Sequence, residues 1–234
     1  MKRLLVCEDE QNIREFEVIN LRRAGYEVIE ASNGDEALEI YHRENGNFDV
    51  VILDIMMPGR HDGLAVCKEL RKLSDTIGII LLSAKTQEMD KVTGLMVGAD
   101  DYITKPFSPS ELTARVDAVN RRVELVRGAT ANAFSKEIVS GDFVLNLMDR
   151  SFSKKGEKID LTQVEFQIIE YFLTNPTIPL SRTDILTHVW GTSYAGDEKI
   201  VDVNIRRIRM KIEDDPSVPA HIITVWGHGY RWEA

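Results

Sequence analysis

Four apolar residues ending in a carboxylate, Val50-Val51-Ile52-Leu53-Asp54, constrain the fold of this chain more than any other stretch. A short, continuously apolar run rich in β-branched residues is typical of a central strand in a parallel sheet, because helices cover both faces of such a sheet. In open α/β sheets, ligands bind beyond the carboxyl ends of the strands. We therefore expect Asp54 to serve chemistry rather than packing.

Residues 1–122 repeat an alternation of short apolar strands and amphipathic helices. The predicted strands are 3–7, 26–29, 50–53, 77–82 and 102–103, and the predicted helices are 11–24, 35–43, 64–73, 88–97 and 108–122. Crossovers between parallel strands are right-handed almost without exception. The pattern therefore predicts an α/β fold with a flavodoxin-like, doubly wound, five-stranded parallel sheet in the order 2-1-3-4-5.

In that order the carboxyl ends of four strands converge. They deliver Glu8-Asp9-Glu10, Asp54, Ser83 and Lys105. Three carboxylates at one place repel one another, and Mg²⁺ with oxygen ligands would relieve that repulsion. A carboxylate nucleophile with a metal, an ammonium and a hydroxyl suits phosphoryl transfer onto Asp54. Taken singly, the acids could instead favour a helix N-terminus, and Ser83 and Lys105 could be turn and surface residues.

Four segments of residues 1–122 resemble the receiver domain of two-component response regulators: 7–10, 53–59, 82–84 and 98–107. The resemblance implies that Asp54 accepts a phosphoryl group from a cognate sensor histidine kinase. It also implies that Mg²⁺ is held by Glu8, Asp9, Asp54 and the backbone carbonyl of Met56. Ser83, Tyr102 and Lys105 would sense the phosphoryl group, and the Lys105-Pro106 bond would be cis.

The loop after Asp54 departs from the receiver pattern. Its turn glycine, Gly63, stands nine residues after the phosphoacceptor, where the family has eight, so the loop is one residue longer. No ligand position moves, and we expect phosphate acceptance to survive. Access to the pocket, kinase docking and dephosphorylation rate stay open, and we expect Arg60 and His61 to be surface residues.

A set of charged residues resembles the dimer face of the OmpR/PhoB subfamily: Lys91, Asp100, Asp101, Glu111, Arg115 and Arg122. The alternative is a solvated face whose ion pairs contribute little. The resemblance implies a homodimer on phosphorylation, with Lys91 meeting Glu111 and Asp101 meeting Arg115 across a two-fold axis.

Residues 123–136 are predicted to be a flexible linker, because periodicity lapses there and 128–133 are small and polar. Residues 137–234 then show short alternating runs, helices over 162–174, 181–189 and 199–212, and a final hairpin. Thr162 and Glu165 form a capping box for the first of these helices. The order predicts an α+β winged helix-turn-helix domain.

The third of these helices carries the predicted DNA contacts. Its cations are Lys199, Arg206, Arg207, Arg209 and Lys211, opposed only by Asp202. We expect Asn204 and Arg207 to reach base edges and the neighbouring cations to hold phosphates. A solvated basic helix is the alternative. Because residues 137–234 hold 11 Lys and Arg against 15 Asp and Glu, DNA binding must depend on local clustering of charge.

Residues 161–231 resemble the OmpR/PhoB output domain in five segments: 161–162, 165–166, 189–191, 201–209 and 227–231, the last of which includes Arg231. Trp226 stands where an arginine often reaches into the minor groove, so that arginine's role is not carried over. Trp226 either contacts DNA through apolar surface or packs on its own hairpin.

Together these patterns predict a phosphorylation-controlled transcription factor rather than an enzyme. Its partners would be double-stranded DNA with tandem or palindromic half-sites and, as a further candidate, RNA polymerase. The sequence shows no leader and no apolar run of about 20 residues, so we expect a cytoplasmic protein without membrane insertion. One alternative is a DNA-binding regulator with a silent receiver. Another is a haloacid-dehalogenase-like hydrolase, but Met56 stands where that family has a second acid.

Overall fold

The computed structural model describes residues 2–84, 97–128, 137–192, 194 and 197–234. The predicted helix 88–97 lies outside the described residues except for its last position. The chain forms two compact units, Met1–Val123 and Glu124–Ala234. Each is described by itself below.

The first unit is the predicted doubly wound sheet. Its elements are β1 (Arg3–Cys7), α1 (Gln11–Arg23), β2 (Glu27–Ala31), α2 (Gly34–Arg43), β3 (Val50–Asp54), α3 (Gly63–Leu73), β4 (Gly78–Ser83), β5 (Asp101–Thr104) and α4 (Pro109–Gly128), whose residues 124–128 already belong to the second unit. The strands are parallel in the order β2-β1-β3-β4-β5, which confirms the predicted topology. Every residue of β3 and β4 is buried, as expected for central strands covered on both faces.

Helix α4 is longer than predicted. It continues to Gly128 rather than ending near Arg122, so residues 123–128 of the predicted linker are helical. The added stretch contains good helix formers and no proline, and it ends at a glycine, the residue most common where helices stop. Residues 129–136 lie outside the described part of the chain.

The turn glycine of the longer loop packs closely against the end of β3. A Cβ atom on Gly63 would lie 2.1 Å from the backbone oxygen of Asp54. Only glycine permits this close approach of α3 to the end of β3. The side chain of Asp62 then caps α3 by accepting a hydrogen bond from the Ala65 amide at 2.8 Å.

The second unit is the predicted winged helix. A four-stranded antiparallel sheet comes first, with β6 (Glu137–Ser140), β7 (Phe143–Asn146), β8 (Ser151–Lys154) and β9 (Glu157–Lys158). It is followed by α5 (Gln163–Thr174), β10 (Leu180–Ser181), α6 (Arg182–Trp190), α7 (Lys199–Ile212), β11 (Ile222–Val225) and β12 (Gly229–Trp232). The short strand β10 was not predicted, because two residues carry no periodic signal; it pairs with β12 beside the hairpin.

A carboxyl group lies unexpectedly in the core of the first unit. Glu17 on α1 is fully buried, and neither of its carboxyl oxygens has a hydrogen-bond partner among the described residues. Burial raises the pKa of Glu17 to about 8; the charges of Glu8 and Asp54 add to the rise, and that of Lys105 opposes it. The helical pattern did not predict this burial, because an acid inside an amphipathic helix normally faces water.

We expect Glu17→Val to stabilise the first unit more at pH 8 than at pH 4.5. The unfolded chain releases the Glu17 proton near its ordinary pKa, whereas the folded chain holds it until about pH 8. Glu17 therefore costs increasing stability as pH rises through this window, and its removal should gain about 3 kcal/mol more at the upper end. Urea denaturation followed by circular dichroism checks this, and tryptophan fluorescence reports the second unit separately, because Trp190, Trp226 and Trp232 all lie there. An equal gain at both pH values would contradict the assignment.

Candidate functional site

An acidic pocket lies at the carboxyl ends of β1 and β3. Glu8 and Asp54 are buried there, and Asp9 is exposed. Carboxylate oxygens of Glu8, Asp9 and Asp54 all lie within 4.8 Å of one another. The backbone amide of Met56 donates to Asp54 Oδ1 at 3.1 Å, which orients the carboxylate. Three carboxylates with oxygen atoms this close form a donor set that suits a hard divalent cation.

Lys105 connects the carboxylates of this pocket. Its ammonium donates to Asp54 Oδ2 at 2.8 Å and also to Glu8 Oε2. Burial opposes the charged form of Lys105, but the hydrogen bonds to both carboxylates raise its pKa above the ordinary value. Burial raises the pKa of Glu8, an effect that the Asp54 charge reinforces and the Lys105 ammonium opposes. The Lys105-Pro106 peptide bond is cis, as the resemblance implied.

Ser83 and Tyr102 stand on adjacent strands next to Lys105. Ser83 ends β4 and is fully buried, and its backbone oxygen accepts from the Lys105 amide at 2.8 Å. Tyr102 lies on β5 opposite Leu81, with its side chain buried. The structure thus brings the hydroxyl of Ser83 and the ammonium of Lys105 to the same end of the sheet as Asp54. Convergence of parallel strand ends accounts for this grouping.

The longer loop is tied to α2. His61 Nδ1 lies 2.6 Å from Asp35 Oδ1, and this contact holds the pKa of Asp35 below its ordinary value. His61 is half-buried, with 27% of its side chain exposed, and Arg60 is exposed, so both reach the surface as expected. Sequence reasoning missed the contact because it joins residues 26 positions apart. The inserted residue therefore lies in a loop with a defined anchor.

The predicted dimer face is only partly a surface. Asp100 is buried, pairs with Arg71 and accepts from the Ile79 amide at 2.8 Å, so its placement on an exposed face was wrong. Asp101 is also buried and pairs with Arg115 of the same chain at 3.2 Å. A buried carboxylate needs a cation nearby, and each acid finds one within its own unit.

Arg115 also meets Glu111 at 3.1 Å, one helical turn away on α4. The predicted pairing of Asp101 with Arg115 across a two-fold axis is therefore already made inside one chain. Lys91 and the side chain of Arg122 lie outside the described part of the structure.

The inward side of α7 carries two of the residues that were predicted to read bases. Asn204 is fully buried and donates to the Ile200 oxygen at 2.8 Å. Arg207 is buried and pairs with Glu165 on α5 at 3.0 Å. The prediction that Asn204 and Arg207 reach base edges was therefore wrong. Helical geometry alone did not show which face of α7 packs against α5, because apolar and basic residues alternate along it.

Glu165 organises this inward side. Besides pairing with Arg207, it meets Lys211 at 2.8 Å and closes the predicted capping box with Thr162. Burial opposes its ionisation, but the charges of Arg207 and Lys211 hold the pKa of Glu165 below its ordinary value. Lys211 also donates to the Asp160 oxygen at 2.7 Å. Two of the five cations of α7 are thus engaged by one carboxylate.

The remaining predicted DNA contacts fall into two groups: some are bonded within the domain, and others are exposed to solvent. Arg209 donates to the Ile222 oxygen and, at 2.9 Å, to Thr224 Oγ1, so it ties α7 to the hairpin. Arg231 pairs with Glu233. Lys199 and Arg206 are exposed on α7. Trp226 is 92% exposed at the hairpin tip, which excludes the alternative that it packs on its own hairpin.

One exposed residue of α7 was missed. Met210 is 60% exposed and stands four positions after Arg206, on the same face of the helix. Sequence reasoning did not single it out, because the other apolar residues of this helix are buried. Across the described residues, no helix is both long and apolar enough to pass through a membrane.

Comparisons with known proteins match each unit. Residues 4–117 match the family model described as "Response regulator receiver domain", and residues 156–232 match the model described as "Transcriptional regulatory protein, C terminal". Among solved structures, the response regulator DrrB, described as a Thermotoga maritima OmpR/PhoB homolog, is 30% identical, with 100% of each chain covered and a TM-score of 0.50.

Two further structures resemble the chain in fold. A RitR mutant is 24% identical and covers 100% of this chain and 99% of its own, with a TM-score of 0.76. A receiver domain protein from Clostridium thermocellum is 27% identical over 53% of this chain and 98% of its own, with a TM-score of 0.51.

We expect Glu165→Gln to destabilise the second unit by about 3 kcal/mol, because it leaves two cations facing a neutral amide. Since the pKa of Glu165 is depressed in the fold, the stabilisation it gives is present at neutral pH and is lost as pH falls through that depressed pKa. Urea denaturation followed by tryptophan fluorescence measures both effects. Asp184→Asn is the matched control, since Asp184 closes the same kind of capping box on α6 but is exposed. Equal losses in the two variants would contradict the role given to the buried pairs.

Proposed function

Because this chain belongs to the OmpR/PhoB family of two-component response regulators, we propose that phosphoryl transfer to Asp54 controls DNA binding by its second unit. The observation that carries the proposal is the position of Asp54: buried at the end of β3, in contact with Lys105 and beside the carboxylates of Glu8 and Asp9. The regulator is a DNA-binding protein of the winged-helix class.

Asp54 is the nucleophile of the proposed reaction. One of its carboxylate oxygens attacks the phosphorus of a phosphohistidine on the sensor kinase, so that a P–N bond breaks as a P–O bond forms. The Met56 amide holds Oδ1, and Lys105 reaches Oδ2 and is placed to attract the incoming phosphoryl oxygens. Catalysis of this kind depends on positioning and on neutralising charge.

The pocket fits Mg²⁺. Glu8, Asp9, Asp54 and the backbone carbonyl of Met56 would hold the ion, which favours oxygen ligands. When bound, Mg²⁺ supplies positive charge where phosphoryl oxygens collect. Lys105 already contacts two of the carboxylates that would hold the ion, those of Glu8 and Asp54.

Ser83, Lys105 and Tyr102 form the proposed response to phosphorylation. The Ser83 hydroxyl and the Lys105 ammonium are placed near the end of β3 to contact new phosphoryl oxygens. Tyr102, buried on the adjacent strand, would transmit the change toward α4. On α4, Glu111 and Arg115 remain candidates for a homodimer face, together with Lys91 and Arg122.

Dimerisation would place two winged-helix domains on tandem or palindromic half-sites. In this proposal the receiver spans 1–122 and the DNA-binding domain 137–234. The segment 123–136 between them, of which 123–128 are helical, sets the effective concentration of the second domain. Lys199, Arg206 and Trp226 would contact DNA directly, and Lys211, Arg209 and Arg231 would lie at its margin. A sensor histidine kinase, RNA polymerase and a cytoplasmic location complete the proposal.

We expect acetyl phosphate with Mg²⁺ to add one phosphoryl group to the protein and none to Asp54→Asn. Intact mass spectrometry measures the addition, and light scattering measures the shift from monomer to dimer that should accompany it. The shift should be absent in the control. An unmodified protein that is already dimeric would show that the anchored loop closes the pocket and that DNA binding answers to another input.

We expect Arg206→Ala to affect DNA binding and Arg207→Ala to affect the stability of the second unit. Arg206 is exposed, so its loss should weaken DNA binding and lower the slope of log K against log salt by about 0.9, with an unchanged unfolding midpoint. Arg207 is buried against Glu165, so its loss should lower the unfolding midpoint instead. Salt-dependent fluorescence anisotropy and urea denaturation separate the two. Reversed behaviour would restore Arg207 as a reader of bases.

A further inference from the structure

We propose that Met210 and Trp226 contact DNA through apolar surface, Met210 in the major groove and Trp226 along the edge of the minor groove. This inference rests on the proposed DNA binding and says how that binding is achieved. Both side chains are large and apolar, and they are 60% and 92% exposed, respectively. Their contribution to affinity would not depend on salt, unlike that of a cation on phosphate.

The second unit has few cations available to contact DNA phosphates. Residues 137–234 hold 11 Lys and Arg against 15 Asp and Glu. Of the five cations on α7, Arg207 and Lys211 face Glu165, and Arg209 donates to the hairpin. Attraction to phosphates grows with the number of cations that reach them, and here most are engaged within the domain. Another source of affinity is required for tight binding.

Met210 is placed to supply part of this additional affinity for DNA. It stands four residues after Arg206, so both side chains project from one face of α7 and are separated by about 6 Å along the axis. A helix that brings Arg206 into the major groove therefore brings the Met210 thioether there too. The apolar group on that groove floor is the C5-methyl of thymine, and a flexible thioether adapts well to such a group.

Trp226 stands on a supported tip. It follows Val225, the last residue of β11, and the turn is closed by the His228 amide donating to the Val225 oxygen at 3.0 Å. Gly227 takes a φ of 74°, which this tight turn requires. Arg209 fastens the hairpin to α7 at Ile222 and Thr224. The indole is therefore carried at a fixed place relative to the helix that enters DNA.

Double-stranded DNA is the occupant that this arrangement favours. The hairpin is tied to the helix that presents Lys199 and Arg206, so a partner as extended as a DNA duplex can cover Trp226 and meet those cations as well. Proteins that contact the minor groove commonly place apolar side chains against its sugars and base steps. An acidic protein surface would satisfy the charges as well, but it would not supply a thymine methyl to Met210.

The test compares variants of the full chain after treatment with acetyl phosphate and Mg²⁺. The probes are a duplex recovered by selection from a random library with the treated protein, and a random-sequence duplex of the same length. Fluorescence anisotropy over a range of KCl concentrations gives the affinity and its salt slope. Val139→Ala is the matched control, because Val139 is 66% exposed but lies on β6 in the other sheet.

We expect Trp226→Ala to weaken binding about tenfold at every salt concentration, with an unchanged slope. Trp226→Arg should recover affinity at low salt and steepen the slope by about 0.9. Val139→Ala should bind like the natural protein. Equal affinities of Trp226→Ala and Val139→Ala, or a slope that falls with Trp226→Ala, would overturn the role of the indole.

The proposed contact between Met210 and a thymine methyl group can be tested by removing that methyl group. Replacing each thymine of the selected duplex in turn by deoxyuridine should cost about fourfold at one position for the natural protein and nothing there for Met210→Ala. The same penalty in both proteins would overturn the Met210 contact. If the natural protein binds neither duplex, the proposed function itself fails; if it binds while the variants behave like the control, only this inference fails.

Discussion

The ammonium of Lys105 lies between the carboxylates of Glu8 and Asp54, and the chemistry of the first unit depends on this arrangement. Two buried carboxylates at the ends of neighbouring strands repel each other, and in a desolvated place that repulsion is costly. Lys105 lies between them and compensates part of that repulsion. Because Lys105 follows directly after β5, its ammonium links the carboxylate of Asp54 to the end of that strand.

The same constraint shapes the second unit. Glu165 is buried on α5, and it draws Arg207 and Lys211 from α7 toward the core. This fixes the rotation of α7 about its own axis and decides which side chains remain for DNA. The pairing therefore has two effects: it stabilises the domain, and it removes positive charge from the surface that approaches phosphates. Met210 and Trp226 stay exposed, and in the proposed DNA complex they would compensate for that loss.

One buried carboxyl group has neither a cation nor a hydrogen-bond donor beside it among the described residues. Glu17 lies in the core beside the acidic pocket, and its oxygens find no hydrogen-bond partner among the described residues. Because the pKa of Glu17 is raised, the folded state is most stable when this carboxyl is protonated. Asp100 and Asp101 show the opposite solution, because each pairs with an arginine of its own unit. Acids of the first unit thus differ in whether an arginine or lysine lies within reach.

The sequence by itself determined the parallel sheet, its strand order, the winged helix and the grouping of Glu8, Asp54, Ser83 and Lys105, since these follow from periodicity and from where apolar strands end. Only the tertiary structure decided which face of α7 points outward, that Asp101 meets Arg115 within one chain, and that His61 anchors the longer loop to Asp35. The physical reason is the separation along the sequence over which each property is determined. Periodicity is a local property of the chain, whereas the partner of a buried charge is chosen by packing between elements far apart in sequence.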